Sequence, residues 1–103
     1  MWAQLIKTRV KDGSEAALQR LFQQLREAEQ ADSGLLRTLV MREHGDPNSL
    51  SMLVLFESEE KARAREDDPR RAEGLAAARA TMAEVFDGPP SFTDMIVIED
   101  YTP

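Results

Sequence analysis

The sequence predicts an α+β protein with the ferredoxin-like plait topology, a four-stranded antiparallel sheet with helices packed on one side. Three observations predict it: four runs of strand-forming residues, amphipathic segments between them, and the element order β, α, β, β, α, α, β. No repeat, low-complexity tract or linker divides the 103 residues. We therefore expect residues 1–103 to form one domain, and because the chain has no cysteine, a hydrophobic core must stabilise it.

The first strand and the first helix are predicted at the start of the chain. Over Trp2–Val10 two sets of side chains alternate with a period of two, and neither Gly nor Pro interrupts them. Asp12 is expected to cap the helix that follows, because Glu15 lies three residues on, at the spacing of a capping box; Ser14 is the alternative cap. The helix should end before Gly34. Its apolar stripe contains Leu18, Leu21, Phe22, Leu25 and Ala28.

A hairpin is predicted in the middle of the chain. Two apolar-rich runs, Leu35–Glu43 and Leu50–Glu57, are joined by residues 44–49, which favour turns. This connection is too short for a helical crossover, so the two strands should be antiparallel.

The second half of the chain is predicted to hold two helices and the last strand. Ser58 supplies the N-cap of a short polar helix. Pro69 ends that helix and, with Asp68 as the cap, begins another one. Residues 88–90 end the longer helix, and a fourth strand follows over Phe92–Ile98. The apolar stripe of the longer helix is predicted to contain Ala72, Leu75, Ala76, Met82, Ala83 and Phe86.

Both faces of the predicted sheet are apolar. A sheet with one side in water would carry polar residues at alternate positions, so the face without helices needs a partner. Pairing of two such faces in a homodimer is the economical solution. The third strand directs Leu50, Met52, Val54 and Phe56 to one face, and Leu53 and Leu55 to the other. In the second strand, Leu36 and Val40 are expected to oppose Leu35, Leu39 and Met41.

The charge balance narrows the possible partners. The chain has 13 basic and 19 acidic side chains, a formal net charge of −6. It lacks the positive field that binds phosphate backbones or anionic lipids, so we expect neither a nucleic acid nor a membrane as partner. A small uncharged or cationic ligand, or another protein, is expected instead. Lys7 and Arg9 interrupt the start of the chain before any long apolar stretch forms, which predicts a cytoplasmic protein without a secretory leader.

Six short segments together resemble one known family, the antibiotic biosynthesis monooxygenase (ABM) domains of the dimeric α+β barrel proteins. They are VKDG at 10–13, SGLL at 33–36, DPNSL at 46–50, FESEEKA at 56–62, DDPR at 67–70 and GPP at 88–90. The resemblance covers nearly the whole chain and rests on the order and spacing of the segments. It implies a homodimer whose two sheets enclose a barrel, with a pocket between sheet and helices in each subunit.

The same resemblance implies a chemistry. Enzymes of the family oxygenate aromatic polyketide-type or quinol substrates without metal or flavin, and a haem-degrading branch binds haem through a helix histidine. Many relatives have Trp at the position of Phe56, His at the positions of Arg65 and Arg70, and an aromatic residue at the position of Thr38. Arg65 stays protonated and has no neutral nitrogen for iron, so we expect no haem degradation.

Two residues are the candidate catalytic bases. His44 is the only side chain of the chain that ordinarily titrates near neutral pH, so it could take a phenolic or enolic proton. An exposed histidine at the start of a hairpin loop is the simpler interpretation. Asp94 shares a strand face with Phe92 and Ile96 and could act as a desolvated base, although a carboxylate near a strand end is more often solvated.

Eight residues are the candidates for substrate binding. Arg79 follows Leu75 by four residues on the longer helix and could aim its guanidinium at a carbonyl or phenolate, or could simply extend into water. The apolar and aromatic members could line a pocket for a flat ring, or could be ordinary core residues. The predicted set is Trp2, Ile6, Phe22, Met52, Val54, Phe56, Arg79 and Phe86.

The chain shows no metal-ligand spacing, phosphate-binding loop or nucleophile motif, so we expect no metal and no cofactor. Two functions stay open. The first is a cofactor-independent monooxygenase that acts on a small aromatic or quinol-type substrate. The second is a non-catalytic homodimer of the same fold that binds a small apolar ligand or serves as an accessory module.

Overall fold

The computed structural model describes all residues from 1 to 103. Its elements are β1 (Trp2–Arg9), α1 (Glu15–Ala28), β2 (Leu35–Glu43), β3 (Asp46–Phe56), α2 (Glu59–Glu66), a 3-10 turn (Pro69–Arg71), α3 (Ala72–Val85) and β4 (Ser91–Ile96). The four strands pair in the order β2-β3-β1-β4, and every pair is antiparallel. The predicted α+β plait is therefore confirmed.

The alternation of β3 defines two sides of the sheet. Leu50, Met52, Val54 and Phe56 are buried, and the clusters that contain Leu50, Val54 and Phe56 include side chains of all three helices. We call this the helix side. Residues paired directly across the strands share a side, so the register extends it to Ile6 opposite Met52. The other side, the open side, carries four half-buried leucines, namely Leu5, Leu39, Leu53 and Leu55.

The core lies where α1 and α3 cross the helix side. Leu21 of α1 is fully buried, and it packs with Ala78 and Val85 of α3. The two helices approach closely at Gly74, where an added Cβ atom would lie 2.7 Å from the Cβ of Ala28. The predicted stripe of α1 thus faces the core, and a glycine allows the close contact with α3.

The apolar stripe predicted for α3 is partly wrong. Leu75, Met82 and Phe86 are half-buried as expected, but Ala72, Ala76 and Ala83 are exposed. Alanines lie on every face of α3, so its apolar residues repeat with no single periodicity and hydropathy alone could not orient the helix. The residues that α3 buries are Ala78, Thr81 and Val85.

Strand β2 contains a β-bulge that changes its predicted faces. Leu35 pairs with Phe56 and Arg37 pairs with Leu55, so Leu36 has no partner across the strands. Leu35 therefore lies on the helix side together with Val40, which corrects the prediction that the two residues oppose each other. Leu36 is exposed instead.

The hairpin turn is shorter than predicted, because β3 begins at Asp46 rather than at Leu50. The backbone N–H of Val10 donates to the carbonyl oxygen of Asn48 at 2.9 Å, and the side-chain amide of Asn48 donates back to the carbonyl of Val10 at 2.9 Å. These bonds hold the segment extended, so only His44 and Gly45 form the turn. At the other end of the sheet, β4 stops at Ile96, two residues earlier than predicted.

Two of the predicted helix caps are confirmed and one is not. Ser58 accepts a hydrogen bond from the N–H of Lys61, and Asp68 accepts one from the N–H of Arg70. The prediction that Asp12 caps α1 is wrong, because the helix begins at Glu15 and Ser14 occupies the cap position. The hydroxyl of Ser14 donates to the carbonyl of Lys11 and does not cap the helix either.

Candidate functional site

The helices leave strand β4 uncovered, and this opening is the most distinctive apolar feature of the helix side. Phe92 pairs with Ile6 and Ile96 pairs with Trp2, so both lie on the helix side. Their exposed fractions are nevertheless 59% and 73%. This edge of the sheet thus offers an apolar and partly aromatic surface to solvent on the side where the central strands β1 and β3 are covered.

Asp94 lies between these two apolar residues on the same side of β4. One carboxylate oxygen accepts a hydrogen bond from the guanidinium of Arg63 at 2.9 Å, and the other accepts one from the side-chain amide of Gln4 at 3.4 Å. Arg63 reaches this position from α2, and its guanidinium carbon lies 5.6 Å from the centre of the Trp2 ring. The hydrogen bond and the charge of Asp94 raise the pKa of Arg63. The result is an oriented carboxylate beside an aromatic ring.

A groove of about 380 Å³ lies beside the start of β4. It is lined by α3 and by the connection from α3 to β4, through Arg79, Met82, Ala83, Phe86, Gly88 and Pro90. Pro90, which lines the groove, immediately precedes β4, and Phe92 follows it by two residues on the helix side of that strand. We call the groove and the adjoining helix-side surface of β4 and β1 the α3–β4 cleft.

Several predicted site residues lie in this cleft. Asp94, Trp2 and Ile6 belong to its floor, and Arg79 and Phe86 line the groove. Sequence reasoning missed Gln4, Arg63 and Phe92. Gln4 and Phe92 could have been found from the strand alternation, because each shares a face with a predicted residue. Arg63 could not, since its partner lies 31 positions away in the chain.

The other predicted residues lie elsewhere. Met52, Val54 and Phe56 are buried core residues beneath the helices. Phe22 lines a second groove, of about 220 Å³, between α1 and β2. His44 is exposed at the tip of the β2–β3 hairpin, and three strand spacings, about 14 Å, separate β2 from β4 across the sheet. The structure therefore does not bring His44 and Asp94 together.

A charged cluster covers the helix side near Phe56. The guanidinium of Arg65 donates to both carboxylate oxygens of Glu29, at 2.7 to 3.1 Å, and its carbon lies 5.2 Å from the centre of the Phe56 ring. Burial raises the pKa of Glu29, but the hydrogen bonds from Arg65 and Ser33 outweigh it, so the net pKa is lowered. Arg71, buried beside them, donates to the carbonyl oxygen of Arg65 at 3.0 Å.

This cluster contains no donor for haem iron, because Arg65 is a cation already paired with Glu29. The chain also brings together no group of three or more His, Cys, Asp or Glu side chains that could hold a metal ion. None of its helices has the length and apolar character needed to cross a bilayer.

The fold and the cleft define a class of protein: a ferredoxin-like plait that leaves one face of its sheet apolar and opens a cleft between sheet and helices on the other. Within that class, the chain belongs to the antibiotic biosynthesis monooxygenase family, whose sequence pattern matches residues 1–77. Members of this family are typically dimers.

Solved structures share the fold at low sequence identity. SnoaB from Streptomyces nogalater, a cofactor-independent oxygenase, is 15% identical with a TM-score of 0.73, over 96% of this chain and 94% of that chain. Rv0793 from Mycobacterium tuberculosis is 14% identical with a TM-score of 0.72, over 98% of both chains. A protein of unknown function from Nitrosomonas europaea is 20% identical with a TM-score of 0.72, over 99% of this chain and 93% of that chain. No curated protein sequence matches the chain significantly.

Proposed function

We propose that the protein is a monooxygenase that oxidises a small hydroxylated aromatic or quinol-type compound with O2, without metal or flavin, in the α3–β4 cleft. The observation that carries this proposal is the position of Asp94. Its carboxylate is oriented by Arg63 and Gln4 and is flanked by the apolar side chains of Phe92 and Ile96. A flat ring on this surface would present its hydroxyl group to a base and to a cation at once. Membership of the family and the fold shared with SnoaB support the same chemistry.

The proposed reaction balances without a further reductant. Asp94 takes the hydroxyl proton of a phenol, and the resulting anion adds O2 at a ring carbon to form a peroxide. The peroxide takes up the proton held by Asp94, the ring carbon loses its hydrogen as a proton, and the O–O bond breaks to leave a carbonyl group and hydroxide. The hydroxide takes up the proton released from the ring carbon and leaves as water. One oxygen atom enters the quinone and the other leaves as water, so the substrate itself supplies all four electrons that reduce O2.

Arg63 is proposed to stabilise the negative charge that develops on the substrate oxygen. It already lies 2.9 Å from the carboxylate of Asp94, so a substrate oxygen bound there would be within reach of its guanidinium. His44 is the alternative base. It is the weaker candidate because it lies at the hairpin tip and lines neither groove.

Oxygen uptake tests the proposal. A panel of quinols and hydroxylated polycyclic aromatics is incubated with the protein, with and without a chelator, and O2 consumption is measured. Asp94→Asn should lower turnover by about 10² to 10⁴ if this carboxylate is the general base. Asp67→Asn is the matched control, because that exposed carboxylate follows α2 and lies outside the cleft. Equal turnover of Asp94→Asn and the wild-type protein would refute the role of Asp94.

The alternative, a non-catalytic ligand-binding module, has a distinct outcome in the same experiment. If none of the compounds causes O2 uptake while one of them saturates a single site per subunit, the monooxygenase proposal fails and the binding function replaces it.

The proposal includes a homodimer formed through the open side. The helices of the same chain cannot reach that side, which carries Lys7, Arg37 and Ser51 beside six apolar side chains. The apolar side chains are Leu5, Leu39, Met41, Leu53, Leu55 and Met95. Light scattering coupled to gel filtration should give twice 11.6 kDa, about 23 kDa, at micromolar concentration. A mass of one chain would refute the dimer.

A further inference from the structure

Arg79 is the one cation that lines the groove of the α3–β4 cleft, and its charge is uncompensated. It makes no ion pair, whereas Arg63 at the other end of the cleft is paired with Asp94. The surrounding wall is apolar, with Met82, Phe86 and Pro90. A guanidinium at the edge of an apolar wall is suited to a ligand that has both a ring and a negative charge.

We infer that the cleft selects anionic aromatic compounds, whose carboxylate or ring-oxygen anion pairs with Arg79 while the ring packs on Phe86 and Met82. This inference rests on the proposed function for the location of the site and adds the chemical class of its ligand. The groove has a volume of about 380 Å³ and is open to solvent, so a flat ring can lie against its apolar wall beside Arg79.

The inference runs against the overall charge of the chain. A net charge of −6 repels anions at long range, and it led to the expectation of an uncharged or cationic ligand. The local charges differ from the average. At the groove, Arg79 is the only charged side chain in the lining, so the local charge there is positive.

A matched pair of ligands tests the inference without any need for turnover. 1-Naphthoate and 1-naphthamide have the same rings and nearly the same shape, but only the first is an anion at pH 7. Isothermal titration calorimetry at low ionic strength should show that the wild-type protein binds naphthoate about five- to tenfold more tightly than naphthamide. The preference should shrink as salt is added, because the site is open to solvent.

Variants of Arg79 assign the preference to this residue. Arg79→Gln should bind the two compounds equally, and Arg79→Lys should keep part of the preference, because it keeps the charge but loses the planar fork. Arg26→Gln is the control, since Arg26 is also an exposed arginine without an ion pair but lies on α1 outside the cleft. Circular dichroism checks that each variant is folded.

The outcomes separate this inference from the proposed function. Equal binding of the two compounds by the wild-type protein, an unchanged preference in Arg79→Gln, or no binding of naphthoate would each overturn the inference, even if O2 uptake is observed. A preference for naphthoate that is lost in Arg79→Gln supports it, even if no aromatic compound causes O2 uptake.

Discussion

The contact between Gly74 of α3 and Ala28 of α1 allows a prediction in which two opposing effects can be weighed. Alanine is favoured over glycine within a helix by at most about 1 kcal/mol. In Gly74→Ala, however, the new Cβ would lie 2.7 Å from the Cβ of Ala28 and 3.3 Å from its Cα. Both helices are packed on the core, so relieving this overlap should cost about 1 to 3 kcal/mol, the range for overpacked sites. We expect Gly74→Ala to lower the free energy of unfolding by about 1 kcal/mol.

A double-mutant cycle identifies the cause of this loss. Ala28→Gly removes the atom that is 2.7 Å away, so the double variant Ala28→Gly/Gly74→Ala should be more stable than the sum of the two single changes predicts, by about 1 kcal/mol. Recovery should be incomplete, because the Cα of residue 28 still lies 3.3 Å from the new methyl group.

Urea denaturation at one fixed protein concentration provides the free energies, since the stability of a dimer depends on concentration. Ala77→Gly, at an exposed position of α3, gives the effect of helix propensity alone in the same helix. If Gly74→Ala stabilises the protein by as much as Ala77→Gly destabilises it, the two helices are not in close contact at Gly74 and the reasoning is wrong.

Three further predictions concern the core, the charged cluster and the hairpin. Leu21→Ala should lower the free energy of unfolding by about 2 to 5 kcal/mol in urea denaturation, because the leucine is fully buried; a loss below about 1 kcal/mol would contradict its place in the core. Glu29→Gln should cost about 1 to 3 kcal/mol at pH 7, because Arg65 is left half-buried without its partner. The pKa of Glu29 is lowered from 4.5, so its contribution to stability is present above that pH and is lost as the pH falls through the lowered pKa. The free energies of unfolding of Glu29→Gln and the wild type should therefore converge in acid. A constant difference between them across the pH range would refute the role of the Glu29 carboxylate. His44→Ala should leave both O2 uptake and stability unchanged, because the side chain is exposed and lies outside both grooves; a loss of turnover would return the role of base to His44.

Local sequence patterns predicted most of the fold. The alternation in β3 correctly separated Leu50, Met52, Val54 and Phe56 from Leu53 and Leu55, but both sets are apolar, so it did not indicate which side the helices cover. In β2 the same reasoning failed at Leu36, because a bulge inserts one residue and shifts the faces, and nothing in the hydropathy of a run of apolar residues indicates it. In α3 it failed because alanine is equally compatible with a buried and an exposed position.

The site was less predictable than the fold. Residue type and strand position placed Asp94 on a face with Phe92, which is local information. Arg63, the partner of Asp94, belongs to a helix segment of mixed charge, and such a sequence indicates a surface in water. Its contact with Asp94 depends on how α2 crosses the sheet, which the sequence of the segment does not show. The exposure of β4 depends on how far the helices extend over the sheet. No short-range sequence pattern indicates how much of the sheet the helices cover.

Trp2 gives the protein an internal optical reporter. It is the only tryptophan of the chain, and its half-buried ring lies under the guanidinium of Arg63 at the Asp94 end of the cleft. The fluorescence of an indole ring depends on its contact with water and on nearby charges. A compound that displaces water from Trp2 or moves the guanidinium of Arg63 should therefore change the intensity or wavelength of the Trp2 fluorescence, and no added label is needed. A ligand confined to the groove near Arg79 should leave the emission unchanged, whereas one that extends to Asp94 should alter it, and a single spectrum then shows which part of the cleft is filled.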